Sequence, residues 1–433
     1  MTEKNVSISI GIIGDPHVVV KGETSPALHL KNQHSFFEVD NEAGTIGNSA
    51  PKQHPWLDLI SLVQGENGSS PIEVDALLCV GDLGFRGSSK SIQAAWKLLQ
   101  DAGNLMKSDI VACATGNHDV HSRSEAASIG KDPIPGIAKA KGIFETLKLL
   151  DPPYPLIATN QSYPLNGRSV RAQYFGEGAT LYEFEKFRLL ILNSCADHGH
   201  EPYEYEHGGI SQSTISAIAE DLVLLKKKPD MINLALVHHP PVPDSEFNSG
   251  TLDHIHGGDE LLRLLKETGQ QWFFIHGHKH KGTITHPHGG ITVFSAASLG
   301  MRLSMQTKGV RNQFYVVNLT FNVDVPHIMG TVDCWDWYEN LGWTEARPDN
   351  GGICHGCGFG NTQTIQQLAM HIAEFANASV LPLEWSELIG NNPHLQFVMP
   401  DEMQLIKERL ETRHNLTIEL DKFGHWDMIA RKA

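Results

Sequence analysis

The chain reads as an α/β protein on three observations. Short apolar runs, often β-branched, alternate with amphipathic stretches along most of its length. The runs have the composition of strands buried on both faces. Clusters of Asp, Asn and His follow directly on those runs, and open α/β sheets bind ligands outside the carboxyl ends of their strands.

Taken in order, residues 6–13 make the first expected strand, ending at Gly14-Asp15. Residues 21–70 lack a clear period, are rich in Gly, Asn, Ser and His, and read as an irregular insertion with one helix at 56–63. A strand at 74–80 ends at Gly81-Asp82, and a helix at 91–105 places Ile92, Ala95, Trp96 and Leu99 on one face. The strand at 110–114 stops just before Gly116-Asn117. Residues 130–171 carry many Pro and Gly around one helical patch and read as a second insertion. Residues 181–194 read as two antiparallel strands with a tight turn near Lys186. A helix at 211–225, capped by Ser211 or Ser213, presents Ile215, Ile218, Leu222 and Leu225. Strands at 232–237 and 272–275 bracket a shorter helix at 259–268, and 314–325 supplies one or two more strands. After about Gly330 the texture changes to Trp, Gly, Asn and Pro, with helices expected at 364–376 and 401–414. Residues 1–330 are therefore expected to form the main domain and 331–433 a C-terminal appendage, without internal repeats.

Composition narrows the function. Lys and Arg number 34 against 50 Asp and Glu, for a formal net charge of −16. That balance disfavours a protein coating extended nucleic acid, which needs clustered cations, and a polybasic membrane-surface binder. A bound metal reverses the local sign, so an anionic substrate stays open. No run is long and apolar enough to span a bilayer, and the first residues lack the order of a secretory signal. Six cysteines in 433 residues do not build a disulfide framework. Cys79, Cys113, Cys195 and Cys334 read as isolated buried thiols, and a cytoplasmic setting is expected. The unusual entry is 24 histidines, the commonest metal ligand.

The polar residues after the strands form five motifs: Gly-Asp15-Pro-His17, Gly-Asp82-Leu-Gly-Phe85-Arg86-Gly, Gly-Asn117-His118-Asp119, His238-His239-Pro and Gly-His278-Lys-His280. Their oxygen and nitrogen donors suit Mn, Fe, Zn, Co or Ni, and no thiolate is among them. Any one motif arises by chance; all five after successive strands point to a metal centre assembled across a sheet edge.

In this order the motifs resemble the calcineurin-like metallophosphoesterase superfamily over roughly residues 8–300, including Gly209-Ile210-Ser211 and Phe294-Ser295-Ala296-Ala297-Ser298. The resemblance implies a β-sandwich flanked by helices, with two divalent transition metal ions at one end. It implies that Asp15, His17 and His280 hold the first ion, Asn117, His238 and His278 the second, and that Asp82 bridges both. The first of two adjacent histidines is the usual ligand in that family, hence His238 over His239. The implied reaction is attack on phosphorus by metal-activated hydroxide, the ions lying about 3.5–4 Å apart. His118 then protonates the leaving alkoxide. Asp119 either orients His118 or caps a local turn. An Arg four residues after the bridging Asp contacts substrate phosphate in the protein-phosphatase branch, which makes Arg86 a candidate; Phe85 stands where that branch has Asp. Purple acid phosphatases place an iron-binding Tyr at the position of Phe85, and phenylalanine cannot ligate, so that subclass is rejected. The style of the motifs is nearer to class III cyclic-nucleotide phosphodiesterase-like members.

The expected function is a metal-dependent phosphoric ester hydrolase acting on small phosphorylated mono- or diesters, with no extended nucleic acid and no membrane partner. The alternatives are a metallonuclease of the same fold and a catalytically silent scaffold. His198, His200, His207, His254 and His256 are expected in the cleft wall, and His276, His286 and His288 flank the last motif. Cys354-His-Gly-Cys357 reads as half of a structural zinc site completed by Cys334, His355, His327 or His371, as a redox pair, or as a glycine-rich turn.

Overall fold

The structure, a computed structural model, describes residues 5–22, 35–47, 54–66, 68–85, 87–120, 143–158, 167–198, 207–225, 231–243, 253–286, 291–303, 311–323, 326–422 and 424–432. Two sheets face each other. The larger has eight strands, in the order Gly342–Glu345, His327–Tyr338, Gln313–Asn322, Asn5–Ile13, Ala76–Cys79, Ile110–Cys113 and Leu156–Ala158, with Cys357–Phe359 also pairing to His327–Tyr338. Six strands make the other: Thr283–Thr285, Ile291–Ser295, Trp272–His276, Ile232–Leu236, Phe187–Leu192 and Ala179–Glu183.

Each sheet has a parallel heart. Asn5–Ile13, Ala76–Cys79 and Ile110–Cys113 run parallel to one another. So do Phe187–Leu192, Ile232–Leu236, Trp272–His276 and Ile291–Ser295. Residues of Ala76–Cys79, Ile110–Cys113 and Ile232–Leu236 are buried without exception, as strands covered on both faces must be. Alternate side chains of one strand serve two layers. Leu234, Leu236, Phe273 and Ile275 enter the core between the sheets. Ala235, Val237, Trp272 and Phe274 instead pack under the helices Gln212–Leu225 and Gly258–Glu267 through Ile215, Leu222, Leu261 and Leu265. Helix Ser89–Leu105, capped by the Ser88 side chain, lies against Ile110–Cys113. The sandwich flanked by helices is the architecture expected from the sequence.

Two boundaries differ from expectation. His327–Tyr338 crosses the expected domain limit at 330, and the sheet continues to Phe359. The strand is half-buried, with Ile328, Val332 and Cys334 inward and Met329, Thr331 and Asp333 outward, so its mixed composition reads as a break in texture. Within the stretch read as a second insertion, Leu156–Ala158 is the edge strand of the larger sheet, antiparallel to Ile110–Cys113. The appendage is a folded unit with the order helix Ile365–Ala378, strand Leu383–Glu384, helix Trp385–Asn391, helix Pro400–Arg413, and the hairpin Leu416–Leu420 with Trp426–Arg431. Its own core holds Leu368, Ile372, Ile406, Leu410, Ile418 and Ile429. Thr364 and Gln367 close a capping box at its first helix.

The six cysteines are free thiols. Among the described residues, no helix is long and apolar enough to cross a membrane. The two sheets are pinned together where Phe359 stacks on Phe273 at a centroid distance of 5.3 Å. Phe359→Ala is expected to cost about 3–5 kcal/mol, the usual range for a buried Phe, read as a lowered midpoint in urea unfolding.

Candidate metal centre

The parallel strands deliver the motif residues. Asp15, Asp82 and Asn117 follow three neighbouring strands of one sheet, and His238, His278 and His280 follow two neighbouring strands of the other. The turns that carry them are tight. Asp15, His17, Asp82, His278 and His280 have φ between 31° and 71°, a region that L-residues visit rarely and that costs of order 1–3 kcal/mol each. Glycine makes the approach possible. A Cβ on Gly116 would lie 2.1 Å from Asp82 Oδ1, and one on Gly14 would lie 1.9 Å from the Ala297 carbonyl oxygen.

Asp82 is central. Its Oδ2 lies 3.5 Å from His17 Nε2 and 3.5 Å from His238 Nε2, while Oδ1 accepts the His118 amide N–H at 2.8 Å. Asp15 Oδ1 lies 3.5 Å from His238 Nδ1, and its Oδ2 lies 3.7 Å from His280 Nε2 and accepts the His278 amide N–H at 3.0 Å. The ring nitrogens approach in pairs, His17 Nε2 to His280 Nε2 at 3.3 Å and His238 Nε2 to His278 Nδ1 at 3.2 Å. His238 Nδ1 donates to the Val80 carbonyl at 2.9 Å, which leaves the ring's lone pair on Nε2, toward Asp82. Asp15, His17, Asp82, Asn117 and His238 are buried; His278 and His280 are partly exposed.

These residues fit a pair of divalent ions. The ligand atoms of His17, Asp82 and His280 lie within 4.8 Å of one another, and so do those of Asp15, Asp82 and His238, so the two groups share Asp82. Two nitrogens bound at about 2.1 Å to one ion at a tetrahedral angle stand about 3.4 Å apart, close to the paired separations here. Asp15 Oδ1 is buried with no hydrogen-bond partner. Burial, and next the charge of Asp82, holds the Asp15 carboxyl well above the usual range. Burial, then His238 and Lys279, pushes His280 down to about 3. A cation favours the ionised carboxylate and keeps its lone pair available on a neutral imidazole.

The remaining expectations divide. His238 reaches Asp15 and Asp82, whereas His239 Nδ1 turns to Ser194 Oγ at 2.8 Å. His118 is partly exposed, its ring 4.9 Å from that of His17 and 5.2 Å from that of Phe85. Asp119 makes the contacts of a local turn cap, the second of its two expected roles. Its Oδ1 accepts from Gly84 N–H at 3.2 Å and Oδ2 from Gly116 N–H at 3.0 Å, so it clamps the Asp82 loop to the Asn117 loop. Arg86, His200 and His288 lie outside the described residues. His276 is buried against the Gly277 carbonyl. Imidazoles continue outward from His278 to His239 (4.6 Å) and His198 (5.6 Å), and separately His207, His256 and His254 stack in sequence.

The zinc reading of Cys354 and Cys357 is not supported. Among the described residues, neither thiol belongs to a group of three or more ligand atoms, and His355 Nδ1 faces the Cys334 main chain instead. The sequence reading gave no site role to two features beside the candidate centre. Ser298 Oγ donates to the Asp15 carbonyl at 2.6 Å and braces its turn. The polar triplet Asn193-Ser194-Cys195 follows the buried strand Phe187–Leu192 just as the motif residues follow theirs, and that position was the available clue.

Residues 8–282 match the family model of the calcineurin-like phosphoesterases. The chain belongs to that family. Residues 357–412 of this phosphoesterase match a second model, wHTH-Calcineurin_assc, a winged helix-turn-helix type of domain. A dimetal phosphatase of Danio rerio is 15% identical, with 75% of this chain and 94% of that chain covered at a TM-score of 0.44. A protein of Thermus thermophilus is 13% identical over 75% of this chain and 97% of its own, at a TM-score of 0.33. A protein serine/threonine phosphatase of Saccharomyces cerevisiae is 14% identical over 72% of each chain, at 0.26. No curated protein matches the phosphoesterase in sequence.

Gly116→Ala presses a methyl group against Asp82 Oδ1. It is expected to weaken metal retention about 10–100-fold, the range for disturbing the support of a ligand, measured by metal analysis after dialysis of the folded variant.

Proposed function

We propose that this phosphoesterase is a dinuclear metal-dependent hydrolase of small phosphate mono- or diesters. The observation that carries the reading is Asp82, whose Oδ2 stands 3.5 Å from a ring nitrogen on each side, His17 and His238. In this reading Asp15, His17 and His280 hold one ion, Asn117, His238 and His278 the other, and Asp82 serves both. Mn, Fe, Zn, Co and Ni all suit the donors. Bound there, the pair supplies Lewis-acid activation of water and neutralises charge on the phosphoryl oxygens. The chain's residues do the rest. His118, at the partly exposed edge and in contact with His17 and Phe85, donates a proton from its imidazolium form to the leaving oxygen and is left as neutral imidazole. Asp119 is a positioning residue that holds the loop bearing Asn117 and His118.

A small substrate is supported by charge. The net charge is −16, and helix Pro400–Arg413, the later helix of the winged unit, sets Asp401, Glu402, Glu408 and Glu411 against Lys407, Arg409 and Arg413. Groove-binding helices need a cationic face. Moreover, Met403, Gln404 and Lys407 line a cavity of about 500 Å³ shared with Cys354 and Cys357, so this face of the helix is turned to its own chain. The six free thiols support a reducing, cytoplasmic location.

The test is a metal-replete screen of p-nitrophenyl phosphate, its bis-ester, cyclic nucleotides and DNA. Small esters are expected to be hydrolysed and chelation to abolish turnover. His118→Ala is expected to lower kcat by about 10²–10⁴ on esters with alkoxide leaving groups. Full activity of that variant on every substrate removes the general-acid assignment, silence of the metal-loaded enzyme removes the hydrolase, and preferred cleavage of DNA replaces it with a nuclease.

A further inference from the structure

Beside the dinuclear centre, the loop after Phe187–Leu192 brings a thiol and two imidazoles together. Cys195, His198 and His239 are buried, and each offers a ligand atom within 4.8 Å of the other two. None of them is assigned a task in the reaction described above, and His239 stands between the two sets, since it also offers a ligand atom within 4.8 Å of those of His238 and His278. His239 pairs its Nδ1 with Ser194 Oγ at 2.8 Å, and its Nε2 is buried with no hydrogen-bond partner, a rare condition for a buried polar atom. His198 Nε2 donates to the His207 carbonyl at 2.6 Å, which leaves the ring's lone pair on Nδ1. The Cys195 thiol donates to the Thr115 carbonyl at 3.3 Å. His207 stands next to the group, buried, and neither of its ring nitrogens has a hydrogen-bond partner.

We propose that Cys195, His198 and His239 form a third metal site, one for a zinc-class ion. Its chemistry differs from that of the dinuclear centre, whose donors are oxygen and nitrogen alone: one thiolate with two imidazoles selects zinc or another borderline-to-soft ion over Mn or Mg. Zn–S of about 2.3 Å and Zn–N of about 2.0–2.1 Å put tetrahedral ligand atoms about 3.3–3.6 Å apart, so with every pair already within 4.8 Å the group closes by at most about 1.5 Å of approach. Both ligating rings already have the outer support such sites show, with the second nitrogen of each held by an oxygen, Ser194 Oγ or the His207 carbonyl. On binding, the Cys195 S–H proton is released, the Sγ–metal bond takes its place, and the His207 ring or a water fills the fourth position. The ion anchors the ring of His239, which lies 4.6 Å from that of His278, and so stiffens one side of the dinuclear centre.

Cobalt(II) titration of the metal-free full chain tests this independently of catalysis. A thiolate-to-cobalt charge-transfer band in the near ultraviolet is expected, together with one equivalent of metal beyond those of the dinuclear centre. Cys195→Ser removes the band and that equivalent, whereas Cys354→Ser, at the other thiol pair, leaves both. Ser194→Ala weakens the titration of the band about 10–100-fold. Should Cys195→Ser fail to fold, His198→Gln is read in its place, with loss of the band or at least tenfold weaker binding expected. A saturated wild-type chain without the band, a band that survives Cys195→Ser, or one titrating unchanged in His198→Gln overturns the site. Absence of hydrolysis leaves this result untouched.

Discussion

Two buried carboxylates in one pocket, Asp15 and Asp82, are the constraint around which the rest of the molecule is arranged. Burial raises the proton affinity of Asp15, and the charge of Asp82 beside it raises it further. Left alone, such a pair is costly, because an ionised group taken out of water must be paired or neutralised. Main-chain amides meet part of the cost: His118 N–H on Asp82 and His278 N–H on Asp15. The imidazoles of His17, His238 and His280 present nitrogen on the remaining sides. A pair of cations satisfies carboxylates and imidazoles together. The positive φ values at five of the motif residues belong to the same problem. A ligand must turn back sharply at a strand end to face the pocket, and the surrounding packing, with Ser298 and Asp119 bracing the turns, overdetermines that conformation.

The sandwich solves the assembly geometrically. Parallel strands place all their carboxyl ends at one edge, so a sheet offers two or three turns side by side where antiparallel neighbours offer alternate ends. Here each sheet contributes such a set, and Asp82 from one meets His238 from the other. The buried runs that build the sheets are therefore what holds the candidate ligands in register. Phe273 and Phe294 in one sheet and Tyr315 in the other fill the space beneath them. The Tyr315 hydroxyl accepts the Ala297 amide N–H at 2.9 Å, which ties the core to the loop carrying Ser298.

This logic decides what was legible in the sequence. The placement of Asp15, Asp82, Asn117, His238, His278 and His280 at neighbouring strand ends was readable because each stands just beyond a continuous apolar run, and continuity of such runs survives without any knowledge of tertiary contacts. His327–Tyr338 was not, because a strand with one polar face alternates Ile with Thr and Asp, and its tryptophans and glycine imitate a loop. The local turn made by Asp119 was one of its expected roles, but its longer reach was hidden. Its neighbour in sequence is His118, but its carboxylate reaches Gly84, thirty-five positions away. Cys195 and His239 are 44 positions apart, so nothing local links them; the adjacency exists only once Phe187–Leu192 and Ile232–Leu236 lie side by side. In the winged unit the two long helices stood out by period, while Trp385–Asn391 and the two-residue strand before it are too short to show one.

The winged unit is joined to the sandwich by packing rather than by a linker. Strand Cys357–Phe359 belongs to the larger sheet, yet a Cβ on Gly358 would lie 2.1 Å from the Gln396 carbonyl oxygen of the appended unit. Asn361 N–H donates to the Phe397 carbonyl at 3.1 Å just beyond it. The same strand's Phe359 stacks on Phe273, and Phe273 lies in the strand that ends at His276, two residues before His278. The cavity lined by Cys357 and by Met403 of the winged unit thus borders a strand that packs directly on the one delivering His278 and His280. Close-packed interiors transmit displacement because they have no slack to absorb it. A continuous packed route therefore runs from the winged unit, through Gly358, Phe359 and Phe273, to the strand that His278 and His280 follow.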